Sequence, residues 1–220
     1  MKAIFDLDGT LVSTDSKQCL AMKSAADLMG VEFDARHFWS EKRNGKNNLQ
    51  ALVGQGVPIE TAEHLNYLWL RRIETYQMQK FDTVLYGVLD SLSLLRIRGY
   101  SLQILTARRN SVLMRQQIIK LRLGKWFDEI TCVNPEDAVL EKTAVLKAEN
   151  PHFYFGDSEV DFEAAKVSKT AFYAVETGQR SSGFLLSTLG IEAHSNLLIA
   201  VRKAIESRSS ISVDEPISKA

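Results

Sequence analysis

The stretch FDLDGTLV, residues 5–12, puts two carboxylates, Asp6 and Asp8, one residue apart directly after the apolar run Ala3-Ile4-Phe5. On an extended chain residues i and i+2 point to the same side, so both acids project together from the end of a strand. Gly9 behind them lets the backbone turn sharply. Three further polar signals stand at comparable places. Thr106 directly ends the apolar LQIL, residues 102–105. GDSEVD, residues 156–161, directly follows HFYF; its Asp157 and Asp161 are four apart and share a face if a helix starts at once. Lys142 lies in LEKTAVL, on the predicted helix before that last strand. Four carboxylates packed together without a cation would repel, and some would have to protonate. A divalent metal resolves the conflict. Hard oxygen donors with no nearby His or Cys select magnesium over zinc. A bound metal together with Lys142 makes a site for a dianion such as phosphate.

These side chains meet only if the fold gathers strand ends along one edge, and the apolar pattern predicts that it does. Residues 3–5, 100–105, 127–133, 152–155 and 170–175 read as strands; helical spacing lies between them, with stops at Gly30, Gly99, Gly124 and Asn150-Pro151. Strand–helix alternation of this kind specifies an α/β fold, a doubly wound parallel sheet covered by helices on both faces. In open sheets of this class ligands bind in the crevice at the carboxyl ends of the strands. Residues 14–82 carry helical periodicity and no strand signal, so a small all-helical unit is inserted after the first strand. The core is then residues 1–13 and 83–206, and the Ser-rich, aperiodic residues 207–220 read as a disordered tail.

Composition removes other classes. The 220 residues contain 27 Lys plus Arg and 27 Asp plus Glu, so no global basic field exists to hold nucleic acid or an anionic membrane. No run approaches a membrane span, and no signal-peptide pattern opens the chain. The two cysteines, Cys19 and Cys132, have no metal or redox spacing, as expected of thiols in a reducing cytoplasm. The sequence says nothing about oligomeric state.

The constellation resembles the haloacid dehalogenase superfamily. Asp6 and Asp8 match its DxDGT first motif, Thr106 the second, Lys142 the third, and Gly156-Asp157 with Asp161 the GDxxxD fourth. Residues 86–107 look like the usual helix–strand approach to the second motif. The insert looks like the small helical cap of phosphoglycolate phosphatase-like members. The resemblance implies a Rossmann-like core, magnesium, and a small phosphorylated metabolite as substrate. It assigns Asp6 as a nucleophile forming an aspartyl-phosphate, Asp8 as acid and then base, Thr106 as a phosphoryl contact and Lys142 as the charge that orients Asp6. Asp157 would ligate the metal with an Asp6 oxygen and the main-chain carbonyl of Asp8, and Asp161 would support it through water or an outer contact. Asp8 and Thr10 favour phosphate-ester hydrolysis, since dehalogenase and phosphonatase members lack the acid and phosphomutases often carry an apolar residue after the glycine.

Several choices stay open in the sequence. A phosphotransferase or mutase is the linked alternative. A phospho-accepting signalling module and a non-catalytic binder suit the motifs less well. Lys147 competes with Lys142, because members commonly carry proline where Thr143 stands. Thr106, Ala107 and Arg108 are candidate substrate contacts. For Arg108 and Arg109 a solvated helix start competes with contact to a second anionic group. Arg43 and Lys46 fall where relatives place a closing loop, and they are expected to lend the cleft positive charge.

Overall fold

The computed structural model describes residues 1–211. Its central strand is β1 (Lys2–Phe5), in which Ala3, Ile4 and Phe5 are wholly buried. Burial on both faces is why this strand is an unbroken apolar run rather than an alternating one. After β1 the chain leaves the sheet through β2 (Val12–Ser13) and runs through five helices: α1 (Asp15–Met29), α2 (Ala35–Arg43), α3 (Asn48–Val53), α4 (Ile59–Ile73) and α5 (Tyr76–Gln79). It returns through β3 (Thr83–Val84), which pairs antiparallel with β2, Val12 opposite Val84. The helical unit thus stands on a two-stranded stem. It has its own core, in which Met22, Phe38, Leu52 and Leu65 are fully buried.

The remainder alternates: α6 (Val88–Ile97), β4 (Ser101–Ala107), α7 (Ser111–Lys120), β5 (Glu129–Val133), α8 (Ala138–Glu149), β6 (Phe153–Gly156), α9 (Glu159–Ser168), β7 (Phe172–Val175), α10 (Ser182–Leu189), β8 (Ala193–His194) and α11 (Leu197–Ile211). The six-stranded sheet has the order β5-β4-β1-β6-β7-β8, with every neighbour parallel. The chain starts in the middle, moves out one way to β5, then crosses back beyond β1 to β6. The order therefore reverses around β1, which is where open α/β sheets form a crevice. Alternation divides β1 between two cores. Ala3 and Phe5 pack under α6, α7 and α11, while Ile4 packs under α8 and α9.

Three features differ from the sequence reading. Helix α2 was not expected; Asp34 caps it by accepting from the Arg36 and His37 amides, and it turns Phe38 inward. Helix α10 and strand β8 were also unmarked, because a two-residue strand is too short to show a period. Helix α11 runs to Ile211, past residue 207 where a disordered tail was expected to begin. Its inward face, Leu197, Ala200, Val201 and Ala204, is already packed, and the polar residues simply extend it. The remaining tail residues, 212–220, lie outside the described part. Among the described residues no helix is long and apolar enough to cross a membrane.

Because the helical unit has a separate core, Leu52→Ala should cost about 2–5 kcal/mol. Chemical denaturation should locate that loss in the helical unit, with amide-exchange protection of β1 and β4 unchanged.

Candidate active site

Asp6 follows β1 without a break, and its amide donates to the Phe155 carbonyl of β6 at 2.9 Å. Two strand ends are thereby tied together. Gly9 (φ +81°) turns the chain back, with its amide bonded to the Val12 carbonyl at 2.7 Å. The next acid comes from the end of β6. Asp157 is packed so closely by Gly9 and Gly178 that a Cβ on either would overlap its carboxylate. Helix α9 then begins at once. Ser158 caps it and donates its hydroxyl to Asp161 Oδ2 at 2.6 Å, so that Asp161 faces back toward the strand end. Gly156 leaves room for this; a Cβ there would stand 2.5 Å from Asp161 Cβ. Lys142 reaches in from α8 and donates to Asp6 at 2.7 Å and to Asp161 at 2.6 Å. Lys147, the competing lysine, is exposed.

Asp6, Asp157 and Asp161 each offer an oxygen within 4.8 Å of the others. Against their three charges stands Lys142 alone among bonded cations. The electrostatic consequences are unequal. Burial pushes the Asp6 carboxyl up to about 7, with Lys142 opposing and Asp161 and Asp8 adding to the rise. Burial drives Asp157 far above the ordinary carboxylate range, reinforced by Asp6 and Asp161, since it accepts only the Gln179 amide. Asp161 is held low despite burial, by Lys142 and by bonds from Lys142, Ser158 and Tyr154. Burial works against the Lys142 ammonium, yet Asp161 and Asp6 keep it firmly protonated. Ionising all three acids would leave two negative charges uncompensated, so this all-oxygen donor set suits a divalent cation.

Asp8 points elsewhere. Arg108 grips it with a two-pronged fork, Nε to Oδ2 and Nη2 to Oδ1, each 2.5 Å. Arg108 is therefore buried rather than a solvated helix start, and it lines the cavity while it holds Asp8. Burial raises the Asp8 carboxyl, but Arg108 and then Lys17 outweigh it and hold the group below its usual range. A buried relay continues outward. Arg108 Nη2 donates to Gln117 Oε1 at 3.3 Å, Gln117 Nε2 to Asp82 Oδ2 at 2.5 Å, and Lys17 Nζ to the same Asp82 oxygen at 2.8 Å. Burial brings Asp82 up to about 6 despite Lys17.

All six motif side chains, Asp6, Asp8, Thr106, Lys142, Asp157 and Asp161, line one cavity of about 340 Å³, together with Ala107 and Arg108. Its other wall comes from the helical unit: Lys17, Gln18, Lys42, Trp69 and Ile73. Arg43 and Lys46, expected to lend charge there, do not line it. The Arg43 guanidinium is occupied by the Glu176 and Gly178 carbonyls, and Lys46 pairs with Glu41. Lys17 and Lys42 take that place. No motif marks them; the only signal was a lysine on the buried stripe of each helix. Replacing Arg108 with Gln should release Asp8. In carbon-13 titrations its carboxyl should ionise at higher pH in R108Q than in the wild type, because burial is then opposed only by Lys17 and the more distant Lys142; an unchanged midpoint would show the fork has no electrostatic effect.

Comparison with known proteins places this geometry. Residues 3–175 match the model of the haloacid dehalogenase-like hydrolases. No curated protein matches the chain. Among solved structures, a haloacid dehalogenase-like family hydrolase from Streptococcus pneumoniae is similar with a TM-score of 0.71 at 19% identity, covering 92% of this chain and 98% of that one. A candidate phosphoglycolate phosphatase from Lactobacillus delbrueckii subsp. bulgaricus gives 0.70 at 19%, with 92% and 97% covered. A hydrolase from Pseudomonas syringae gives 0.63 at 22%, with 93% and 98% covered. At such identities these structures speak for the fold, and the family match spans most of the chain. The chain belongs to the haloacid dehalogenase-like hydrolases.

Proposed function

We propose that the chain is a magnesium-dependent phosphatase that hydrolyses a small phosphorylated metabolite through an aspartyl-phosphate on Asp6. The observation that carries this reading is the Asp6 carboxylate, 2.7 Å from the Lys142 ammonium and within 4.8 Å of two more carboxylates. Oxygens of Asp6, Asp157 and Asp161 would hold the ion, with the main-chain carbonyl of Asp8. When bound, magnesium supplies positive charge toward the oxygens of the phosphoryl group. The free Asp6 oxygen attacks phosphorus and expels the leaving oxygen, which splits one difficult displacement into two. Asp8 delivers a proton to that oxygen and then takes one from the hydrolytic water. Ionised beside Arg108, it stands ready as the base; giving a proton requires the fork to loosen. Thr106 contacts a phosphoryl oxygen through its hydroxyl, and Lys142 balances charge while fixing Asp6. Uncatalysed phosphate-monoester hydrolysis demands rate gains up to roughly 10²¹. Most of that gain must come from fixed charge and positioning, which Lys142 and a bound ion would provide.

The description of one similar structure as a candidate phosphoglycolate phosphatase supports the reaction class. Phosphate release from p-nitrophenyl phosphate should require magnesium, stop on chelation, and fall more than about 10⁴-fold in Asp6→Asn, the scale seen when a covalent nucleophile is lost. Release that survives chelation would reject the reading, and product formed only when an acceptor is added would identify a phosphotransferase. Gly178→Ala, by crowding Asp157, should weaken magnesium binding about 10- to 100-fold in calorimetry.

A further inference from the structure

Each buried cation of the cleft but one is matched to an acid. Lys142 is bonded to Asp6 and Asp161, Arg108 to Asp8, and Lys17 to Asp82. Lys42 is the exception. It is 2% exposed and lines the cavity, yet among the described residues no carboxylate lies within 4 Å of its ammonium. Its company is neutral or positive. Nζ donates to Gln18 Oε1 at 2.5 Å and sits 5.1 Å from the Trp69 ring centre and 5.5 Å from that of Phe38. Arg180, whose guanidinium donates to the Lys42 carbonyl at 2.6 Å, adds repulsion. Burial first, and Arg180 second, pull the ammonium down to about 7. Two ring contacts and one neutral acceptor return less than the burial of an unpaired ammonium costs, and a methionine would fill the same space without that cost. The arrangement makes sense if an anion completes it.

We propose that Lys42 binds a second anionic group on the substrate, remote from the phosphoryl group, so that the preferred substrates are compact phosphoesters carrying a carboxylate or a second phosphate. This deepens the phosphatase reading and rests on it for the position of the first anion. The wall opposite supports the assignment. The carboxylates and Lys142 lie at the strand ends, Lys42 lies on the helical unit, and one cavity of about 340 Å³ joins them. That volume is at the small end of ligand pockets, which suits a molecule with two charged ends and little between. Gln18 and Trp69 already fix the Lys42 ammonium, so little freedom remains to be lost when the anion arrives.

The test uses matched pairs that differ only in the second charge: glycerol 2-phosphate against 2-phosphoglycerate, and glucose 6-phosphate against glucose 1,6-bisphosphate. The wild type should favour the doubly anionic member of at least one pair in kcat/KM. The pair that responds says whether the second anion is a carboxylate or a phosphate. Lys42→Met should lower that ratio about 10- to 100-fold, the worth of a hydrogen bond to a charged group. Because the readout is a ratio within a pair, a general loss of activity cancels. K42M should also melt no lower than the wild type, whereas a lysine kept for its aromatic contacts would leave the variant less stable. Calorimetry in the Asp6→Asn background, with and without K42M, reads the same preference as binding. Lys42-dependent binding of a doubly anionic probe by a chain that hydrolyses nothing would keep this inference and discard the phosphatase. An absent preference in both rate and binding, or one that survives K42M, would overturn it.

Discussion

Three carboxylates held within 4.8 Å of one another, with one ammonium among them, are the constraint around which the rest of the molecule is arranged. Such a cluster is costly to bury, and the structure shows how the cost is distributed. Asp161 takes most of the compensation through Lys142, Tyr154 and Ser158. Asp157 takes almost none and is left far above the ordinary range. An uneven cluster of this kind stores a demand for positive charge at one place. Glycines at 9, 156 and 178 make it possible, since each stands where a Cβ would collide with a carboxylate side chain. The parallel sheet holds it rigid, because β1 and β6 are adjacent and buried on both faces.

A buried ion pair closes the stem that joins the helical unit to this floor. Lys17, just beyond β2, and Asp82, just before β3, close the two ends of the stem on each other at 2.8 Å. Asp82 also takes the Gln117 amide, which leads through Arg108 to Asp8. The acid expected to handle protons is therefore the end of a relay that starts at the stem of the helical unit. The relay is buried, so its bonds are little screened by salt.

Overall neutrality conceals a strongly polarised site. With 27 charges of each sign the chain has no net field, yet the cavity has an acidic floor and a basic roof. Lys42 supplies the unpaired charge of that roof from α2, while Lys17 on α1 is matched to Asp82 and Glu74 of the helical unit also lines the cavity. A phosphoester spanning the two would meet positive charge at both ends, with magnesium and Lys142 below. The separation of charge between two units also makes the cleft complete only when the cap sits over the sheet.

Much of this was legible in the chain because short-range rules govern it. Buried strands are apolar runs, acids two apart on a strand share a side, and a serine after Asp157 starts a helix that brings Asp161 back. The gathering of Asp6, Thr106, Lys142 and Asp157 at one edge was expected from their places at strand ends and from the family resemblance, whereas the order of the strands came only from the sheet itself. What the chain could not declare was the pairing of side chains across units. Arg43 and Lys46 read as the charged contribution of the cap, but Lys42 is the residue that lines the cleft. Neighbours on a helix point about 100° apart, so the choice between 42 and 43 depends on how α2 is rolled against α1 and α4. Arg108 is a similar case: nothing local distinguishes an arginine that awaits a ligand from one that grips Asp8, one hundred residues away. Motif chemistry was set by sequence because it needs only residue type and strand position. Which cations remain free to meet a substrate was decided in three dimensions, where each charge settles on the nearest acid the packing leaves within reach.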